Sequence, residues 1–222
     1  GYLVQRDLLP PERVLELRTL AEADLDPLIG PAEYEADVHY PGAPASRTAP
    51  GGETPRRLLF AIARDEVFRR AGTDPGIAAW LGALFHGAPV CLAQSHHNCV
   101  MTKHPGYSSA TLWHQDVRYW SYDRPDLISV WIPLGRETER NGALAVIPGT
   151  HRESFERGRL DAELFLRPEL PENAALIDRA EIVELAPGDV LFFHARLFHA
   201  AGRNESDQVK LSLVFTYHAA DN

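Results

Sequence analysis

Leu112-Trp113-His114-Gln115-Asp116-Val117-Arg118-Tyr119 is the stretch from which the rest of the chain can be read. In an extended strand successive side chains alternate between faces, so His114 and Asp116 leave from the same one. An imidazole and a carboxylate converging on a point supply two of the three ligands of a 2-His-1-carboxylate facial triad, the arrangement of non-haem Fe(II) oxygenases. Such a pair alone arises readily by chance. It gains meaning only with a second histidine, a cation able to anchor a co-substrate, and a fold that joins distant strands.

Working outward, the segments around this stretch read as short strands separated by turns. Val90–Lys103 is β-like and closes at Pro105-Gly106. Leu127–Leu134 is a nearly continuous apolar strand, and Asn141-Gly142 signals a turn. Ala143–Ile147 is a further buried strand, ended by Pro148-Gly149. Ser154–Ala180 reads as an excursion with helical pieces. Strand character returns at Ile182–Leu185, Val190–Phe193 and Val209–Tyr217.

The N-terminal third differs. Tyr2–Val4 can form a strand, and Pro10-Pro11 opens a helix with Val14, Leu17, Ala21 and Leu25 on one face. Tyr40–Pro55 reads as a long loop suited to a lid or rim. A helix is expected near Leu58–Arg70, with Arg56-Arg57 and Arg69-Arg70 read as solvated faces in preference to a phosphate or coenzyme A contact. Ile77, Trp80, Leu81, Leu84 and Phe85 mark another helix lying on a core.

Helices first and many short strands after predict a mainly β fold with flanking helices, its core a jelly-roll or cupin-like double-stranded β-helix. The expectation is a single domain over residues 1–222, with a helical part to about 88 and the jelly roll from about 89.

Composition excludes several classes. A net charge of −9 argues against a nucleic-acid partner. No apolar run approaches the ~18 residues of a membrane span. Cys91 and Cys99 offer no disulfide framework or zinc spacing, which suits a reducing, cytoplasmic setting. The sequence starts at Gly1 rather than Met, so its first residue need not be the natural start.

Two histidines compete for the third ligand position, His194 and His199 in Gly188–His199. Their odd separation implies a turn between them. Chemistry favours His199, because Lys210 follows eleven residues later, about one hairpin away, whereas the same step from His194 reaches Glu205. Alternation in Val209–Leu213 puts Lys210 and Ser212 on one face, where a buried ammonium needs an anion. His96 and His97 are adjacent, so a strand would point them to opposite faces, away from a shared metal. His151, after Pro148-Gly149, reads as a structural hydrogen-bonding residue.

Several pieces together resemble the phytanoyl-CoA dioxygenase family of Fe(II)/2-oxoglutarate oxygenases. They are Lys103-His104-Pro105-Gly106, Trp113-His114-Gln115-Asp116, Asn141-Gly142 leading to Ile147-Pro148-Gly149-Thr150-His151, and Gly188-Asp189 to His199 with Asn204. They stand in the family's order over about Val90–Tyr217. The resemblance implies a double-stranded β-helix, iron held by His114, Asp116 and His199, and 2-oxoglutarate and O2 as co-substrates. It also implies 2-oxoglutarate contacts at Lys103 and Trp131, with Asn98 a further candidate. The family usually has Arg where Lys210 stands, and a hydroxyl is often found where Ala201 stands. The expectation is an altered anchor in which Lys210, with Ser212 as a second donor, grips the distal carboxylate of 2-oxoglutarate.

The reading is therefore a dioxygenase acting on an unactivated C–H bond of a small metabolite, with release of succinate and CO2. The intact ligand set disfavours a non-catalytic jelly-roll sensor. A zinc hydrolase on the same ligands would need a general base for which the sequence has no spaced signature. Candidates to line the substrate pocket are Tyr119, Trp120, Tyr122, Arg118, Arg124 and Arg196. The oligomeric state is not legible.

Overall fold

The computed structural model describes residues 1–222. In chain order the first third holds β1 (Tyr2–Gln5), α1 (Pro11–Ala23), β2 (Ala32–Tyr34), β3 (Pro55–Leu59), α2 (Ala61–Arg64), α3 (Glu66–Gly72) and α4 (Pro75–Leu84). Then follow β4 (Val90–Leu92), β5 (Asn98–Lys103), β6 (Thr111–His114), β7 (Leu127–Pro133) and β8 (Leu144–Val146). The chain ends with α5 (Pro171–Ile177), β9 (Glu181–Ile182), β10 (Val190–His194), β11 (His199–Ala201) and β12 (Lys210–Ala219).

These strands make two antiparallel sheets. The large one runs β1-β10-β7-β12-β5-β3-β2, with β4 paired to the far end of β12, and the small one runs β6-β11-β8-β9. The sheets face each other across Trp131, Leu144, Val146, Leu191, Phe193 and Val214. On the other face of the large sheet lie the helices, where Leu17, Ala21, Phe68, Ile77 and Leu81 pack on Val130, Ile132, Phe192, Leu213 and Phe215. Both faces of β7, β10 and β12 are thus covered, and β7 and β10 read as apolar runs without the usual polar alternation. Trp80 is a packing residue here, with its ring 6.2 Å from that of Phe192.

The period-2 alternation of β12 does the rest. Leu211, Leu213, Phe215 and Tyr217 belong to the helix-side core. Lys210, Ser212, Val214 and Thr216 therefore point between the sheets.

Two expectations about elements are corrected. The segment expected as a helix near Leu58–Arg70 begins as β3, which pairs with β5 through Arg57↔Met101 and Leu58↔Val100 before α2 and α3 start. The N-terminal part thus gives β1, β2 and β3 to the large sheet. Val90–Lys103 is not one strand: β4 and β5 are separated by a bend at Ser95–His97, where His96 takes φ +65°. The expected Asn141-Gly142 turn is present with Gly142 at φ +80°. A Cβ at Gly142 would lie 2.6 Å from the Gly202 carbonyl and 2.9 Å from Lys103 Cδ, so glycine here lets the Lys103 side chain pass.

Candidate metal centre and pocket

His114 is the last residue of β6, and His199 is the first of β11; the two are direct partners across the strand pair. Asp116 is not on the strand with His114, as sequence alternation would have it, but opens a 3-10 turn, Asp116–Tyr119. The turn swings its carboxylate back to the same point. One ligand atom from each of His114, Asp116 and His199 lies within 4.8 Å of the others, and all three residues are buried.

The protonation pattern suits a metal. His114 Nδ1–H donates to the Leu112 carbonyl at 2.8 Å and His199 Nδ1–H to Leu197 at 3.0 Å, leaving both Nε2 lone pairs aimed at the centre. Asp116 Oδ1 sits 3.6 Å from His114 Nε2 and 3.4 Å from His199 Nε2, yet has no hydrogen-bond partner. Its twin, Oδ2, accepts from Ser129 Oγ at 3.3 Å, with His97 Nδ1 at 3.5 Å. Ser129 and Thr216 are opposite residues of β7 and β12, hydroxyls 2.8 Å apart, and His97 Nδ1 touches both. One carboxylate oxygen is thus held from behind and the other left bare. Burial pushes the Asp116 carboxyl up, but His97, His199 and His114 outweigh it and hold it well below the usual carboxylate range. Burial and His199 push His114 down, favouring its neutral, ligating form.

A fully buried anionic oxygen without a partner is costly. Burial pushes the His199 imidazole down, but Asp116 outweighs it and holds it up. With that proton displaced, the two Nε2 atoms complete a donor set of N, N and O on one side. Iron fits this set as a facial triad with open positions.

A pocket opens from these ligands. At its inner end stand Lys103, Lys210, Trp131, Leu144 and Ala201; its wall carries Tyr40, Arg56, Arg57, His96 and Tyr119. Lys103 and Lys210 are cross-strand partners of β5 and β12. Trp131 Nε1–H donates to Glu137 Oε1 at 2.9 Å, and Lys210 Nζ lies 5.1 Å from the Trp131 ring centre. Ser212 Oγ also donates to Glu137 Oε1, at 2.5 Å, and so sits behind the pocket. Asn98 departs from its expected role. Its Oδ1 accepts from Ile62 N at 2.9 Å and its Nδ2 lies 3.4 Å from the Gln94 carbonyl, fixing the start of α2, so it does not line the pocket.

His194 is not part of the metal cluster; its Nε2 faces Asp126 at 3.4 Å and its Nδ1 accepts from Arg196 N. His96 and His97, expected on opposite faces of a strand, both reach the pocket because the chain bends there. Their rings are 4.6 Å apart, and His96 stacks on Tyr119 at 3.5 Å. Arg56 and Arg57 are not a solvated face. Arg57 grips Glu33 with Nε at 2.9 Å and Nη2, and its Nη1 lies 3.1 Å from His96 Nδ1. Arg56 is buried among Glu33, Glu35, Ser109 and Thr111.

Of the expected rim, Tyr119 lines the pocket and Trp120 closes edge-on over His96 and His97. Arg118 lies 4.0 Å over the Phe165 ring, whose own edge meets His114. Tyr122 packs on His218, Arg124 pairs with Asp221, and Arg196 donates to the Glu153 carbonyl, all away from the pocket. From the long loop, Tyr40 reaches the pocket wall. Glu137 is the residue sequence reasoning missed, and the place of Arg56 and Arg57 in the pocket wall differs from the solvated face expected for them. The only signal for Glu137 would have been a buried partner for Lys210, 73 residues away.

The model for phytanoyl-CoA dioxygenase (PhyH) matches residues 1–212. The chain belongs to the phytanoyl-CoA dioxygenase family. Its fold is that family's double-stranded β-helix. Phytanoyl-CoA dioxygenase 1 of Oryza sativa subsp. japonica is 24% identical over 64% of this chain and 49% of its own length. The chain thus spans about half of that relative. The ectoine dioxygenase of Sphingopyxis alaskensis is 25% identical, covering 100% of this chain and 73% of its own. Among solved structures, the epimerase SnoN in complex with Fe3+, alpha ketoglutarate and nogalamycin RO superposes with a TM-score of 0.76 at 21% identity, over 99% of this chain and 79% of that one. No helix of this chain is long and apolar enough to cross a membrane.

Proposed function

We propose that this chain is an Fe(II)- and 2-oxoglutarate-dependent oxygenase that hydroxylates a C–H bond of a small metabolite. The observation that carries the proposal is the bare Asp116 Oδ1 beside the two Nε2 atoms of His114 and His199, next to a pocket lined by buried cations. Bound there, iron and 2-oxoglutarate would supply the oxidant from O2, with succinate and CO2 as co-products.

The protein's own share is positioning and exclusion. The Nδ1–H bonds of both histidines fix ring orientation and tautomer. Ser129 and His97 hold Asp116 Oδ2 so that Oδ1 alone faces the metal. Lys103 and Lys210 line the end of the pocket where a distal carboxylate would lie, and Trp131 and Leu144 wall that end. Tyr119, His96 and Tyr40 give the outer pocket an aromatic lining that holds an apolar or ring-bearing group and sheds water. Names among the relatives support a small substrate, ectoine in one case. SnoN, an epimerase by name, is the reason the outcome needs a direct test.

A zinc-hydrolase reading finds no general base. His97, the nearest additional imidazole, is engaged with Ser129 and Thr216, and burial pushes it down to about 4. The test is succinate release from 2-oxoglutarate with Fe(II) and O2, repeated over a panel of small metabolites, with the product of any stimulating compound identified. Stimulated turnover yielding a product heavier by one oxygen supports hydroxylation; a product of unchanged mass contradicts it.

A further inference from the structure

The inner end of the pocket holds two lysines in different electrostatic states. Lys210 is already compensated. Its ammonium lies 3.2 Å from Glu137 Oε2 and 3.3 Å from Ser212 Oγ, and the Glu137 carboxylate is fully buried. That carboxylate also takes Trp131 Nε1–H and Ser212 Oγ–H on its other oxygen. Glu137 is fixed through its backbone too, bonded both ways to Leu185. One carboxylate therefore ties together three of the residues that face or back the co-substrate end.

Lys103 lacks such a partner. It is 7% exposed, and its ammonium donates at 2.8 Å to a neutral group, the Ser109 carbonyl. The nearby acidic side chains are engaged elsewhere: Glu33 with Arg57 and, at 3.3 Å, with Arg56, and Glu35 with Ser109 and, at 3.8 Å, with Arg56. A buried cation without an anion is unfavourable until one arrives.

We propose that Glu137 is a positioning residue that acts as the internal counter-ion of Lys210, leaving Lys103 as the cation that receives the distal carboxylate of the co-substrate. This rests on the oxygenase reading given above. It follows that Glu137 weakens co-substrate binding: its charge already satisfies Lys210 and faces an incoming dicarboxylate across that ammonium. Burial first, and then Arg56 and Lys210, push the Lys103 ammonium down to about 7, against the opposite pull of Glu35 and Glu137. A bound carboxylate would restore its proton, so binding at higher pH takes up a proton from solution.

The test is calorimetric titration of 2-oxoglutarate into Mn(II)-loaded protein, which binds without turnover. Lys103→Met is expected to weaken binding at least tenfold, and Lys210→Met less than threefold. Glu137→Gln is expected to tighten it at least threefold, while lowering the melting temperature of the ligand-free protein and enlarging the rise on adding 2-oxoglutarate. Because removing one member of a buried pair destabilises, Glu137→Gln/Lys210→Met is made as well. It should bind nearly as the wild type does and lose tenfold again when Lys103→Met is added. Weaker binding by Glu137→Gln, or a loss in Lys210→Met equal to that in Lys103→Met, overturns the assignment while leaving the oxygenase reading in place. Absence of saturable binding by the wild type overturns both.

Discussion

Ser129→Ala removes the one hydroxyl that donates to the back of Asp116. The bond is long, 3.3 Å, but its acceptor is a fully buried carboxylate. Hydrogen bonds to charged groups are worth ~1.5–3 kcal/mol, and the length places this one near the lower bound. About 1.4 kcal/mol corresponds to tenfold in an equilibrium constant, so metal affinity should fall by roughly tenfold. That is the lower end of the ~10–100-fold usual for groups supporting metal ligands. His97 remains 3.5 Å from the same oxygen and should prevent complete loss. The assay is a competition titration with Co(II), read from its visible absorption, which also reports coordination geometry. A carboxylate freed to turn both oxygens to the metal should change that spectrum. Affinity within twofold of wild type, with an unaltered spectrum, would refute the idea that Ser129 keeps Asp116 one-handed.

Other expectations follow from the same geometry. His199→Ala should abolish tight metal binding, whereas His194→Ala should retain it, as equilibrium dialysis with Fe(II) or Mn(II) can decide. Trp120→Ala, which uncovers His96 and His97, should raise the substrate concentration needed for half-maximal turnover several-fold while substrate-independent 2-oxoglutarate decay persists. For pH, the Lys103 ammonium is lowered in the fold to about 7 from an ordinary 10.5, so the unfolded chain holds the extra proton between those values. Ligand-free stability contributed by this group should therefore rise as pH increases from about 7 towards 10.5, and Lys103→Met should flatten that part of a melting-temperature profile.

Much of the fold could be read before any coordinates, because β7 and β10 are covered on both faces and announce themselves as apolar runs, while β12 alternates. The candidate metal cluster was legible for a related reason: His114 and Asp116 are close in sequence, and the cation downstream of His199 distinguished it from His194. What escaped was whatever depended on a local break in regular structure. His96 and His97 share the pocket only because His96 adopts a left-handed backbone between two strands, which alternation cannot anticipate. Arg56 and Arg57 were assigned to a helix surface, since a pair of arginines beside Leu58 and Leu59 does not reveal a strand whose charges meet Glu33 and Glu35. Nothing in the sequence around Glu137 marks it as buried. Its burial is decided by Trp131 and by Lys210 and Ser212 from the far end of the chain.

The central claim is that His114, Asp116 and His199 hold an iron to which 2-oxoglutarate binds. The most direct measurement is the visible spectrum of the Fe(II)-loaded protein under anaerobic conditions as 2-oxoglutarate is added. A saturable iron-to-2-oxoglutarate charge-transfer band is expected for the wild type and should be missing from a folded Asp116→Ala variant. A wild-type spectrum that does not change, or a band that survives intact in Asp116→Ala, would contradict it.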